Sequence, residues 1–507
     1  MRRRSLLPAV AGGLVLALSA CGSTVQQTGY LSAPGTLADG GAVGGPAATD
    51  GLSAPGVVGP DALAGDGLAP QAAGDAPTSV GGGTAAQPGS AGAGGGPAAV
   101  PSAAGSRSPV KIGFTTVPDA AAFFAAFGAE SSDVDQEALF RSAVRWVNRK
   151  GGLNGHPIEP IIGEVSATSQ ESYDAQYQRL CSYYTQDQKV VAAGLVGIGG
   201  NTNMDACMND AGTLLVTGSN TLHDEADYRR TPLVVSPMEV TASVLARTLA
   251  ELIVQRKLEV RGGKIGILQY DTPTYNRAFD RQFKPILDRA GIGVVRYRIP
   301  PPASTAAIGD SVSVVQSAQL RMASEGIKTV TFLCSGCAGF YLQSASSQNY
   351  YPRYVLSTLD TPGAADGPSF ERALRSSVSV GWAPNGDYGT TTPPEPIPYN
   401  ATYRECLEVQ KEQLGGDRAA VPIAIITCDA VLGFYYAAKA NPVEPITAAS
   451  LRDGFLRLGT TRPSALNFST DLRPGKHAGA SHYRLMTWNE KCSCPAYSGP
   501  ALPFPAP

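Results

Sequence analysis

"GGKIGILQYD", residues 262–271, decides the fold, because it restarts a pattern that the chain has already run through once. It reads as a strand, and the helix after it places Phe279, Phe283, Leu287 and Ala290 on one side. Far upstream, "VKIGFTTV" (110–117) begins in the same way, and its helix shows apolar positions at Phe140, Val144 and Val147. Between the two starts lie "IEPII", a helix carrying Tyr173, Tyr177, Cys181 and Tyr184 along one face, "KVVAAGLVGI" and "TLLVT" (213–217). The run "KVVAAGLVGI" is apolar without alternation, as in a parallel strand buried on both faces. After the restart, "GVVRYRI", "KTVTFL", "RYVLS" and "SVSVGW" supply further strands. Two successive sets of βα units imply an α/β protein with two parallel sheets, each covered by helices on both faces, and so two similar lobes. Ligands of such sheets sit at the carboxyl ends of the strands, which makes the cleft between the lobes the expected site.

The first hundred residues are of a different kind. Arg2, Arg3 and Arg4 precede an apolar run from Leu6 to Leu18 that is short for a membrane span, as in an export signal. Leu18-Ser19-Ala20-Cys21 resembles the lipobox of bacterial lipoproteins. That resemblance implies a signal peptide at 1–20 and a lipid on Cys21. From Gly22 to Ser108 the chain is almost wholly Gly, Ala, Pro, Ser and Thr, with Tyr30 its only aromatic. Such a segment buries too little apolar surface to offset the entropy of ordering, so 21–108 is expected to be a disordered tether. A flexible coil of this length spans roughly 50 Å.

Composition narrows the function. No basic stripe with interleaved aromatics points to nucleic acid, and no later apolar run reads as a membrane span. The four histidines, His156, His223, His477 and His482, form no HExxH or spaced cluster, no GxSxG elbow or P-loop occurs, and Asp224, Glu225 and Asp227 beside His223 read as a charged surface turn. Hence neither an enzyme, a metal site nor a cofactor is expected. With Cys21 set aside, the remaining eight cysteines suggest disulfides, though they allow 105 pairings. Zinc held by Cys334, Cys337, Cys492 and Cys494 is disfavoured by the tight CxC spacing and an oxidising compartment.

Taken together, "NRKGGLNGHPI", "RLCSYYTQDQKVVAAGLVG", "LLVTGSNT" and "KIGILQYDTPTYNRAFDRQFKPILDRAGIGVV" resemble the branched-chain amino-acid type of periplasmic binding protein, with the type I fold. The resemblance covers roughly 109–459. It implies an extracytoplasmic receptor, anchored outside the cell membrane by lipid on Cys21, that captures a small solute such as an amino acid, amide or carboxylate. The solute would pass to ABC permease and ATPase subunits, or its binding would be signalled to a membrane partner without transport. Lobe 1 is expected over 109–236 and 384–462, lobe 2 over 237–383 and 463–495, and a flexible tail over 496–507. Crossings near Ser236-Pro237, Ala383-Pro384 and Arg462-Pro463 would form the hinge.

The resemblance also implies ligand positions. On the first lobe these are Gly200 and Asn201, where a Gly-rich turn meets a helix N-terminus, and the hydroxyls of Ser219 and Thr221. On the second they are Tyr275, Asp360 as partner of an ammonium group, and Trp382 near a crossover. It further pairs Cys181 with Cys207. Cys406 with Cys428 is a reasonable second pair, and Cys334 with Cys337 and Cys492 with Cys494 stay open against cross-pairing. The inserted "GAESSDVDQE" and "FLCSGCAGF" depart from the family at ligand-facing loops, which bears on the identity of the solute.

Overall fold

The computed structural model describes residues 107–122, 134–196, 202–218, 221–258, 263–363, 368–388, 394, 397, 399–418 and 420–506. Positions 1–20, Cys21 and all but the last residues of the tether lie outside them.

Strands β1 (Val110–Thr116), β2 (Ile158–Glu164), β3 (Ala192–Val196), β4 (Leu214–Gly218) and β5 (Val234–Val235) form a parallel sheet in the order β2-β1-β3-β4-β5. The second sheet contains β6 (Lys264–Tyr270), β7 (Gly293–Ile299), β8 (Thr329–Leu333), β9 (Arg353–Ser357), β10 (Val378–Gly381), β11 (His482–Asn489) and β12 (Cys494–Pro503). Its order is β12-β11-β10-β9-β8-β6-β7, parallel from β6 to β10. The restart at 262–271 therefore does begin a second βα sheet.

One expectation needs correcting. Of the expected flexible tail 496–507, the described residues 496–506 are not free, because Cys494–Pro503 pairs antiparallel with β11 and closes a hairpin on the sheet. Pro495, Pro500 and Pro503 with Gly499 make this stretch look like a loop. An edge strand tolerates them because one side of its backbone needs no ladder partner.

The helices that matter for the site are α1 (Gln136–Arg149), α2 (Tyr173–Ser182), α3 (Thr202–Asp210), α4 (Glu225–Arg230), α5 (Ala242–Gln255), α6 (Pro273–Ala278), α7 (Ala401–Leu414), α8 (Val421–Ala440) and α9 (Ala448–Leu458). Asp135 caps α1 by accepting from Ala138 N at 2.8 Å, and the helix buries Phe140, Val144 and Val147. Phe140 stacks on Phe114 of β1 with centroids 4.9 Å apart. Helices α7 to α9 return to this first core after the second sheet is complete. The chain thus crosses between lobes more than once. Helix α8 also corrects the view that no later apolar run reaches membrane-spanning length, for it is long and apolar enough. Its residues are mostly buried in the first core, however, as in the central helix of a globular lobe.

On the opposite face of the first sheet, Tyr184 lies flat across β1 and β2 and bonds Thr115 Oγ1 at 3.0 Å. A Cβ at Gly113 would stand 2.8 Å from the Tyr184 ring, and one at Gly163 would stand 2.4 Å from Leu180. Both positions need glycine if the aromatic ring is to seat there.

Candidate functional site

Among the described residues, the segments that leave the carboxyl ends of the two sheets touch at two places. Near the crossing side, the β4 end meets the β6 end. Thr272 caps α6 and Pro273 starts it, so that Thr274, Tyr275 and Arg277 project towards the first lobe. Leu222 N donates to the Tyr275 oxygen at 3.2 Å, and Thr274 Oγ1 donates to Asp227 Oδ2 at 2.7 Å. Arg277 Nε donates to Asp224 Oδ2 at 2.7 Å, and its Nη2 donates to Asp227 Oδ1 at 2.8 Å. Asp224 meanwhile caps α4, accepting from Ala226 N and Asp227 N at 2.9 Å each.

The expected charged surface turn is thus a buried clamp between lobes, with Asp224 and Asp227 only 3 % and 4 % exposed. Burial alone would raise the Asp227 carboxyl, but the bonds from Thr274 and from Asp224 N and the Arg277 charge hold it below the ordinary range. Arg277 is held above its ordinary value, chiefly by its bond to Asp224.

At the far rim, the ends of edge strands β2 and β7 meet. Tyr173 N donates to Ala303 O at 2.8 Å, Tyr173 OH lies 3.1 Å from Thr305 Oγ1, and the Thr305 hydroxyl donates to Ala167 O. Asp119 shapes the first-lobe side of this contact. Its carboxylate accepts from Ser166 Oγ at 2.5 Å, Ala167 N at 2.8 Å, Thr168 N at 2.9 Å and the Thr168 hydroxyl. Burial opposes ionisation here, yet those four donors lower the carboxyl to about 2.

Between the two contacts stands the second-lobe wall. Asp360 Oδ2 accepts from Ser357 N at 2.9 Å and from Ser357 Oγ at 3.3 Å. Its Oδ1 is sealed from solvent and has no hydrogen-bond partner. Burial, opposed only by the Ser357 bonds, pushes the carboxyl up to about 8. Tyr270 OH donates to Ser335 O at 2.8 Å, and its ring meets Tyr275 edge-on at 5.9 Å.

Behind the first-lobe wall, His223 Nε2 lies 2.8 Å from Asp205 Oδ2, and Nδ1 lies 3.9 Å from Glu239 Oε2. All three are buried. Desolvation works against the imidazolium, but the two carboxylates raise its proton affinity well above the usual histidine range.

Of the expected ligand residues, Gly200, Asn201 and Ser219 lie outside the described residues. Thr221 is half-buried at the β4 end, and Asp360 lies on the opposite lobe near Tyr275, which is only 1 % exposed in the second core with its oxygen accepting from Leu222 N. Trp382 does not join them. It is 2 % exposed in the second core, its ring 6.2 Å from that of Phe504, because burying its large apolar surface there is favourable. Sequence reasoning passed over Asp119, Tyr173, Tyr270 and Arg277. Arg277, two positions beyond Tyr275 on the same short helix, was the most accessible of these.

Four disulfides are present, Cys181–Cys207, Cys334–Cys337, Cys406–Cys428 and Cys492–Cys494. The first ties α2 to α3 and the third ties α7 to α8. Both short pairings are local, so the four thiolates of the zinc alternative are all bonded. Among the described residues no group of three or more His, Cys, Asp or Glu could hold a metal ion.

No family model matches the sequence, and no curated protein matches it either. Solved structures do. The fatty acid ABC transporter substrate-binding protein from Thermomonospora curvata is 13% identical, with TM-score 0.54 over 78% of this chain and 92% of that one. A solute binding protein of an ABC transporter from Rhodopseudomonas palustris HaA2, in complex with p-hydroxybenzoic acid, is 14% identical, with TM-score 0.54 over 78% and 98%. The branched-chain amino acid transporter substrate binding protein LivJ from Streptococcus pneumoniae, in complex with isoleucine, is 14% identical, with TM-score 0.50 over 77% and 100%. At these identities the likeness is one of fold. The chain has the two-lobed type I periplasmic binding fold.

Proposed function

We propose that the protein is an extracytoplasmic receptor that captures a small polar solute between its lobes by hinge closure and presents the closed form to an ABC permease and its ATPase. Lobe 1 comprises 109–236 and 384–462, lobe 2 comprises 237–383 and the segment from 463, and movement occurs at the crossings. Lipid on Cys21 holds the receptor to the membrane, and the 21–108 tether sets its reach. Gly200, Asn201, Ser219 and Thr221 contact the solute from the first lobe, and Tyr275 and Asp360 from the second.

The observation that carries this reading is Asp360. A fold that seals a carboxylate oxygen without a partner bears a desolvation cost of about 1–3 kcal/mol, which a ligand donor would remove. In support, Asp360 follows β9 and lies within electrostatic range of Tyr275, whose oxygen accepts from Leu222 N of the first lobe. The test is thermal unfolding of the purified protein against amino acids, amides, sugars, carboxylates and amines. A solute a hundredfold above its dissociation constant stabilises by about 2.7 kcal/mol, and the shift should vanish in Ser219→Ala and Asp360→Ala. No shift with any compound class would sink the proposal.

A further inference from the structure

We infer that the solute this cleft takes is a net cation, an amine or guanidinium compound, rather than a carboxylate. This rests on the receptor reading above and narrows it.

The inference begins with a census of the segments that join each strand's carboxyl end to the next helix, 117–135, 165–172, 197–201, 219–224, 236–241, 271–272, 300–307, 334–336, 358–367 and 382–383. Their described residues include seven Asp or Glu and no Lys or Arg, and the sequence through the remaining positions adds no Lys or Arg. Helix dipoles account for part of this, since Asp135 and Asp224 cap helices. They do not account for the rest.

The cations that reach this surface are already engaged. Arg277 holds Asp224 and Asp227, Arg298 lies 3.4 Å from Asp271, and Arg179 holds Glu171 at 2.6 Å. His223 supplies one positive charge between two buried carboxylates, Asp205 and Glu239. Asp119 has only neutral donors, and Asp360 has only Ser357. An anionic solute would therefore meet the Asp119 carboxylate with no unengaged Lys or Arg among the described strand-end residues to receive it. A cation reaching this wall would instead ionise Asp360, whose Oδ1 has no hydrogen-bond partner and whose carboxyl lies within electrostatic range of Tyr270. Field lines focused between two low-dielectric lobes would also speed its entry.

The experiment is calorimetric titration of the full chain with putrescine, agmatine, arginine and choline, set against leucine, glutamate and 4-hydroxybenzoate. At least one of the four cations should bind. In Asp360→Asn its affinity should fall roughly ten- to a hundredfold, the loss of one charged hydrogen bond. Association should also slow between about 0.01 and 1 M salt, as the screening length contracts from roughly 30 to 3 Å. Should Asp360→Asn fold poorly, Glu171→Gln with Asp271→Asn, both accessible, should slow association while leaving the unfolding temperature unchanged. Binding of leucine, glutamate or 4-hydroxybenzoate with none of the cations would overturn the charge assignment and leave solute capture standing. Silence from both sets would remove both.

Discussion

The segments at the carboxyl ends of the strands and those at the amino ends differ in charge, in burial and in what they touch. At the amino ends, 150–157, 188–191, 211–213, 231–233, 256–263, 290–292, 325–328, 348–352 and 375–377, the described residues include six Lys or Arg and a single acid, Glu325. These cations lie near helix carboxyl ends, where the dipole favours them, and they need no partner. Arg375 does form an ion pair, with Glu490, and even there the side chains are 44% and 72% exposed. At the other end Asp224 and Glu239 are buried and Asp119 and Asp360 meet only neutral donors among the described residues, while Glu171 and Asp271 keep accessible ion pairs. One end is charged as any α/β surface would be, and the other bears costs that only a partner can relieve.

The largest effect expected from this contrast is at the clamp. Arg277→Ala would leave Asp224 and Asp227, whose side chains are 4% and 5% exposed, without their main cation. The cost should be about 3 kcal/mol, the low end for breaking a buried pair because the guanidinium itself keeps some exposure. Urea unfolding should show a lower midpoint with unchanged slope. Arg375→Ala at the amino end, which also loses two acid partners, should leave the midpoint where it is. Equal losses at both ends would break the comparison.

What could be read in the chain follows the same division. The βα restarts were legible because strand and helix periodicity is local, as at Phe140, Val144 and Val147, and all three face the core. The clamp was not legible, because Asp224 and Arg277 are separated by 53 residues and by a lobe boundary, and three acids near one another in sequence look like solvated surface. Trp382 was placed in the cleft by its nearness to a crossing, but the second core that buries its ring, with Phe504 beside it, is assembled from residues distant in sequence. Tyr275 and Asp360 were legible as residues at strand ends. Only the fold reveals that Asp360 Oδ1 lacks a partner.

A smaller effect sharpens the comparison through pH. Asp360 is raised from 3.8 to about 8, so between those values the folded chain keeps a proton that the unfolded chain releases. This group therefore subtracts from stability as pH rises through that window, and the penalty is complete above about 8. Asp360→Asn should match the parent near pH 4 and exceed it by a growing margin as pH rises to about 8, because the variant has no carboxyl to ionise in the buried site. A cationic solute bound below pH 8 should release protons, because it ionises this carboxyl. A stability difference that is flat with pH would mean that Asp360 is solvated, and the contrast between the two strand ends would lose its strongest member.

The smallest effect lies at the far rim, and it separates closure from folding. Tyr173→Phe removes only the hydroxyl contact with Thr305 and keeps the ring and the Tyr173 N to Ala303 O bond. One half-buried hydrogen bond is worth about 0.5–1 kcal/mol, so the unfolding midpoint should barely move. The balance between open and closed lobes is a different equilibrium, and the same increment there changes the ratio of states roughly two- to fivefold. Because the clamp near the crossings is buried and doubly charged while the rim is held by a few neutral bonds, the rim should part first. Small-angle scattering of the variant without solute should show a larger radius of gyration than the parent, and a unchanged radius would place the moving contact at the clamp instead.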